Sequence, residues 1–297
     1  MQQINIMALR HSAFYSPLLM TIAGGYLQQQ GLQPEYRVQS TDDTVVDNIR
    51  NGRCHLAQSA VATSFQTLEQ GRRPDIVHFA QINNRDGFFI AARAPDADFS
   101  WAALKGRKVL VDHFFQPMAM LRYGLHQQGV EFSDFEVIDA GDVAAIDRAF
   151  RDGLGDYVHQ QGPARQQMEQ DGIAHVVAAV GDAVGPVAFS SLCASPEWLK
   201  TDMAQRFMVA YRQALADVIQ APPGDIADQL QQAGFFVEID NGVLSRTLAA
   251  YQGLGCWQAD PQISDASYQT LLDVFQFSDL ISQRYPLSAA VVAPPDC

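Results

Sequence analysis

No run in these 297 residues approaches the roughly 20 consecutive apolar positions of a membrane-spanning helix. Basic residues are scarce too. Twenty Lys and Arg stand against 33 Asp and Glu, a formal net charge of −13. A nucleic-acid partner needs clustered Lys and Arg, so a phosphate-backbone ligand is excluded. The densest basic stretch, Lys105-Gly106-Arg107-Lys108, reads as a solvated turn before a strand. Cysteine is sparse and scattered: Cys54, Cys193, Cys256 and Cys297 form no CxxC pair. The histidines form no HxH or HxxxH pair. No metal and no cofactor is therefore expected. The opening Met1-Gln2-Gln3-Ile4-Asn5-Ile6 has neither a basic n-region nor an apolar h-region. The expectation is a cytoplasmic protein, or a periplasmic one whose export signal has been removed.

What the chain does have is 47% hydrophobic residues, enough for a core, and a length that suits about two domains. Strand and helix patterns alternate from the start. Residues 3–9 read as a strand, and residues 17–30 carry an apolar stripe of helical period. Pro17 suits the first helical turn and Gly31 its end. The pair Gly24-Gly25 lies inside that stripe without a phosphate-loop frame, so it reads as close helix packing. Asp42-Asp43 reads as the cap of a second helix, residues 44–52. Strands at 35–39, 54–58 and 75–82 and a helix at 60–70 complete a first β-α-β-α-β-α-β cycle. A second cycle follows on the same plan, with strands at 108–111, 135–138, 155–158 and 175–180. From Thr201 onward the pattern is helical. The fold class is α/β, each lobe a mainly parallel sheet flanked by helices. Two strand-like crossings, 87–92 and 187–193, make the middle an inserted lobe. Residues 1–90 and 187–297 form lobe one, and residues 91–186 form lobe two. The tail is expected to fold back on lobe one.

"SPLLMTIAGGYLQQQGLQPEY", "NGRCHLAQSAVATSF", "ALKGRKVLV" and "FRDGLGDYVHQQGPARQQM" occur in this order, followed by "GCWQADPQIS" and "YPL". This set resembles the solute-binding proteins for alkanesulfonates, nitrate and thiamine-pyrimidine precursors, over nearly the whole chain. Cys54-His55 stands where that family has an acidic residue. The resemblance implies a two-lobed periplasmic-binding-protein type II fold, closing like a hinge on a small-molecule ligand in the inter-lobe cleft. It further implies an ABC permease as partner, no membrane insertion and a monomeric state.

Ligands of open α/β sheets bind beyond the carboxyl ends of the strands. Strand one ends in Arg10, His11, Ser12, Phe14 and Tyr15, strand three in Gln58 and Ser59, and strand four in Gln81, Asn83 and Asn84. In lobe two the candidates are Asp112, His113, Phe114, Phe115 and Gln116, with His159 and Gln160. His11 equally suits a helix cap, Phe114 and Phe115 equally suit packing, and His159 a main-chain partner. Oxyanion binders offer small residues at such helix starts, whereas this chain offers an acid and two phenylalanines. The expected ligand is a flat, polar, uncharged or cationic ring, aromatic or heteroaromatic and pyrimidine-like.

The same fold hosts enzymes. The alternative is a cytoplasmic enzyme acting on a small aromatic or cyclic substrate. A desulfinase resemblance wants a cysteine near the end of strand one, and none is there. A thiamine-pyrimidine synthase resemblance wants a lysine in the pocket, and the chain has only Lys105, Lys108 and Lys200. A dehydratase-like enzyme needs mainly a polar pocket and stays open. No nucleophile–base pair can be assembled around residues 10–17, so no catalytic residue is assigned, and the binder reading leads.

Overall fold

The computed structural model describes residues 1–296; Cys297 lies outside them. Among the described residues two five-stranded sheets form, one for each lobe. The first contains β1 (Gln2–Ala8), β2 (Leu32–Val38), β3 (Leu56–Ser59), β4 (Val77–Asn83) and β10 (Ser190–Ala194). Its order is β2-β1-β3-β10-β4. The second contains β5 (Phe88–Ala92), β6 (Lys108–Val111), β7 (Glu136–Ile138), β8 (Tyr157–Gln161) and β9 (His175–Ala179). Its order is β7-β6-β8-β5-β9.

Each sheet has one strand running against the rest. In the first it is β10, antiparallel to β3 and β4, and in the second it is β5, antiparallel to β8 and β9. Both are the first strand reached after the chain crosses between lobes. The crossover leaves from the carboxyl end of a parallel strand, so the next strand must begin at the cleft and run away from it. Both β5 and β10 are buried along their whole length, which explains their unbroken apolar or small-residue texture. Because β5 pairs only within the second sheet, the crossing falls at residues 84–87 rather than between 90 and 91.

Helices α1 (Ser16–Ala23), α2 (Tyr26–Gln29), α3 (Val45–Arg50) and α4 (Phe65–Glu69) belong to the first lobe. Helices α5 (Phe115–Gln127), α6 (Val143–Arg151), α7 (Ala164–Gln170) and α8 (Val180–Val184) belong to the second. The expected helix over 17–30 is two helices. Gly25 takes φ 72°, and a Cβ on Gly24 would lie 2.4 Å from the Tyr26 ring, so the glycine pair breaks the helix. The cap of α3 is Thr44, whose side chain accepts from the Asp47 amide. Asp43 instead pairs with Arg37 at 3.1 Å and takes an Asn48 amide hydrogen bond at 2.6 Å.

The tail supplies α9 (Asp202–Gln220), α10 (Pro223–Gln232), α11 (Asn241–Leu254) and α12 (Asp265–Phe277). Side chains of Thr201, Asp240 and Ser264 cap three of them. Helix α9 packs on α1 and α2, as a tail folded on lobe one requires. But α11 also packs on α7 and α12 on α5, so the tail clasps both lobes. Tyr251 of α11 donates to the Gly162 carbonyl at 3.3 Å, and Thr247 to Gln166 at 3.3 Å.

Candidate functional site

The carboxyl ends of β1, β3, β6 and β8 and the amino ends of β5 and β10 meet at one place. They enclose a cavity of about 180 Å³. An apolar cavity of about 150 Å³ holds a benzene ring, so this one holds a substituted monocycle.

The turn after β1 is shaped by Gln58. Its Oε1 accepts the amides of Leu9 at 3.1 Å and Arg10 at 3.4 Å. This directs the Arg10 side chain to the cavity wall. Ser12 then caps a 3-10 turn over Ala13–Tyr15, its Oγ accepting from the Phe14 amide at 3.2 Å. The same hydroxyl donates across the cleft to Gln161 Oε1 at 3.0 Å. A second cross-lobe contact puts the Arg10 guanidinium 4.8 Å from the Phe114 ring centroid. In lobe two, Asp112 Oδ1 accepts the Phe114 amide at 2.9 Å and so orients the start of α5.

Five rings wall the cavity: Tyr15, Phe88, Phe114, Phe115 and Phe189. Phe115 is 52% exposed and Phe114 46%, unusual for phenylalanine and consistent with a cleft that opens to water. Burial pushes the Tyr15 phenol up to about 12, so it stays a neutral hydroxyl. The polar groups are few. Arg10 has no hydrogen bond on its guanidinium and no ion-pair partner among the described residues. Gln116 Nε2 donates to the Phe189 carbonyl at 2.7 Å, which fixes the amide's orientation. Gln116 Oε1 is buried without a partner.

A second, wetter chamber adjoins the first and shares Arg10 and Gln161 with it. Glu238, Phe236 and residues 162–164 line it, along with His11 and Ser12. His11 stacks on Phe236 at 4.4 Å and meets the Tyr36 hydroxyl at 3.1 Å. Burial lowers its pKa, and Glu238 partly opposes that.

Of the seventeen residues named from sequence, the structure brings Arg10, Tyr15, Gln58, Phe114, Phe115 and Gln116 to the cavity wall, and His11 and Ser12 to the outer chamber. The other nine line neither. Phe14 is fully buried against Tyr251 and Phe189, at centroid distances of 4.8 and 5.4 Å. Asn83 donates to the Phe14 carbonyl and accepts from Ser190, while Gln81 binds Asn84 and the Val187 carbonyl. Ser59 bonds Thr63. These groups brace the strand ends from beneath. Asp112 spends one oxygen on the turn, and His113 bonds the Val111 carbonyl at 2.8 Å. His159 is buried behind Phe88, 4.8 Å from its ring, with its pKa pushed down to about 3 by burial. Gln160 points the other way, to Val143 and the buried Arg165.

Sequence reasoning missed Phe88, Phe189 and Ser190 because it considered only the carboxyl ends of strands. The reversed strands bring amino ends to the same cleft. It named Arg10 at the end of strand one but drew nothing about the ligand from its charge. Its guanidinium, unpaired among the described residues, adds a positive charge to the wall, which the expectation of an uncharged or cationic ligand did not weigh. The two lysines of the basic stretch at 105–108 have no such freedom, since Lys105 pairs with Asp134 and Lys108 with Glu136, at 3.0 and 3.6 Å.

Two mixed α/β lobes joined by two crossings, with a ring-walled cavity between them, define the two-lobed periplasmic-binding-protein fold. The chain belongs to the NMT1/THI5-like family, whose model matches residues 13–224. A Bacillus subtilis (strain 168) protein named "Putative binding protein YtlA" is 26% identical over 293 residues, 97% of this chain and 87% of that one. Among solved structures, the alkanesulfonate-binding protein SsuA of Xanthomonas axonopodis pv. citri, bound to MOPS, superposes with a TM-score of 0.71. The two are 17% identical, and 99% of each chain is covered. The periplasmic aliphatic sulphonate binding protein SsuA of Escherichia coli gives 0.72 at 14% identity, covering 100% of this chain and 94% of that one.

Proposed function

We propose that this chain is the solute-binding component of an ABC-type importer, outside the cytoplasmic membrane, and that it delivers a small aromatic or heteroaromatic compound to a permease. The observation that carries this reading is the cavity walled by five rings contributed from both lobes. A ring inserted there stacks on Phe114 and Phe115 of one lobe and on Tyr15 of the other, so binding favours closure. The family membership and the binding-protein names of the relatives support the same class of function. Tyr15, Gln58, Phe114, Phe115 and Gln116 are the proposed ligand contacts.

The enzyme alternative finds no support in the thiols of the described residues. Cys54, Cys193 and Cys256 are buried outside the cavity, and burial pushes each thiol up, Cys54 to about 12. A nucleophilic cysteine needs the opposite shift and an exposed position.

The test is a thermal-shift screen of aromatic, heteroaromatic, alkyl and inorganic oxyanion compounds. The expected hits carry a ring and vanish in Phe115→Ala. A hit list confined to inorganic or alkyl oxyanions would reject the ring-binding reading.

A further inference from the structure

The cavity holds two polar groups whose needs differ in sign. Arg10 is a cation with no carboxylate within ion-pair distance among the described residues and no acceptor on its guanidinium. It lies on the wall common to the inner and outer chambers. Beside it on that shared wall is Gln161, whose Oε1 is taken by the Ser12 hydroxyl. That leaves the Gln161 amide nitrogen as a further donor on a residue of the same wall. Both groups call for an acceptor, and the guanidinium calls for an anionic one.

The opposite demand comes from Gln116. Its residue is 6% exposed, and its Oε1 is buried with no hydrogen bond. The amide cannot flip to relieve this, because its nitrogen is held by the Phe189 carbonyl at 2.7 Å. Flipping would set two oxygens face to face. A buried acceptor left without a partner is destabilising, so the site is built for something that donates to it. Gln116 lines the inner, ring-walled chamber and not the outer one.

We propose that the ligand is an aromatic acid with a hydrogen-bond donor on its ring. The ring fills the inner chamber, a hydroxyl or N–H group donates to Gln116 Oε1, and a carboxylate or similar anionic arm reaches the Arg10–Gln161 wall. This rests on the ring-binding reading and specifies its chemistry. The cavity's size limits the ring system to one ring, with the arm projecting toward the outer chamber. Neutral rings leave Arg10 unanswered. Acids without a ring donor leave Gln116 unanswered.

The test is calorimetric titration of the full chain with benzoate, 3- and 4-hydroxybenzoate, 4-aminobenzoate, phenol and 4-hydroxybenzamide. At least one of the hydroxy- or aminobenzoates is expected to bind roughly three- to tenfold more tightly than benzoate, the worth of one neutral hydrogen bond. It is expected to exceed phenol and the benzamide by a further tenfold or more. Arg10→Gln should erase the preference for acids over neutral rings. Gln116→Met, close in volume, should erase the preference for ring donors over benzoate. A melting curve of each variant without ligand separates loss of fold from loss of contact. If neutral and acidic rings bind alike in the wild type, or if both preferences survive the two substitutions, the inference is overturned while ring binding stands. If none of the six compounds binds, this inference fails. The broader screen with the Phe115→Ala control then decides the ring-binding reading separately.

Discussion

Asp86 lies in the crossing between β4 and β5, fully buried. One oxygen accepts the Phe88 amide at 2.6 Å, and the other has no partner. Burial, with a smaller push from the nearby Asp112, raises its pKa from 3.8 to about 7. The sign of the consequence follows from proton counts. Between pH 4 and 7 the unfolded chain has lost this proton and the folded chain retains it. Stability from this residue therefore falls as pH rises through that window and levels off above about 7. At about 1.4 kcal/mol per pH unit, the penalty at pH 8 is on the order of 4 kcal/mol. Asp86→Asn keeps an acceptor for the Phe88 amide and removes the titration. Urea unfolding of both proteins at pH 5, 6, 7 and 8 gives the difference directly. The Asn variant should gain on the wild type from pH 5 to 7, gain little more by pH 8, and there be the more stable by several kcal/mol. A difference that does not change with pH would refute the buried-carboxyl account of this crossing.

Phe115→Ala should weaken binding of the ring ligand by roughly ten- to a hundredfold, the worth of one stacked ring, as read by titration. Because the ring is half exposed, the unliganded protein should lose less than about 1 kcal/mol. Gly181 carries no Cβ because one would lie 2.4 Å from the Asp86 carbonyl oxygen. Gly181→Ala should therefore cost about 1–3 kcal/mol in urea unfolding. Tyr251→Phe removes the tail's hydrogen bond to Gly162 and should cost about 1 kcal/mol, seen in the same assay. Ser12→Ala removes a hydrogen bond across the cleft and should let the lobes part, visible as a larger radius of gyration in solution scattering with ligand absent.

Periodicity served well where a helix has a polar face and a clean cap. Helix α6, capped by Asp142, and α12, capped by Ser264, each follow a side-chain cap. It served less well at Gly24-Gly25, where an apolar stripe continues past a left-handed residue that local pattern does not register. The two lobes were legible because the β-α alternation occurs twice, with helical texture after it. What the tail touches was not, since the contacts of α11 with α7 and α12 with α5 join segments far apart in the chain.

The site divides in the same way. Tyr15, Gln58 and the run Phe114-Phe115-Gln116 follow from the rule about carboxyl ends. Phe88, Phe189 and Ser190 follow from a reversed strand direction, which shows only when pairing partners are known. Asn83, His159 and Gln160 sit at the right strand ends but are not at the wall: Asn83 bonds the Phe14 carbonyl, Phe88 covers His159, and Gln160, next along the strand, points to the opposite face. The freedom of Arg10 depends on which acids approach it in space, and no spacing in the sequence encodes that.

Native mass spectrometry of the purified full chain, with Phe115→Ala alongside, bears most directly on the central claim. The account predicts a co-purifying small molecule that carries an aromatic ring and is absent from the Phe115→Ala protein. An aliphatic or inorganic adduct, or an aromatic one retained unchanged by Phe115→Ala, would contradict it.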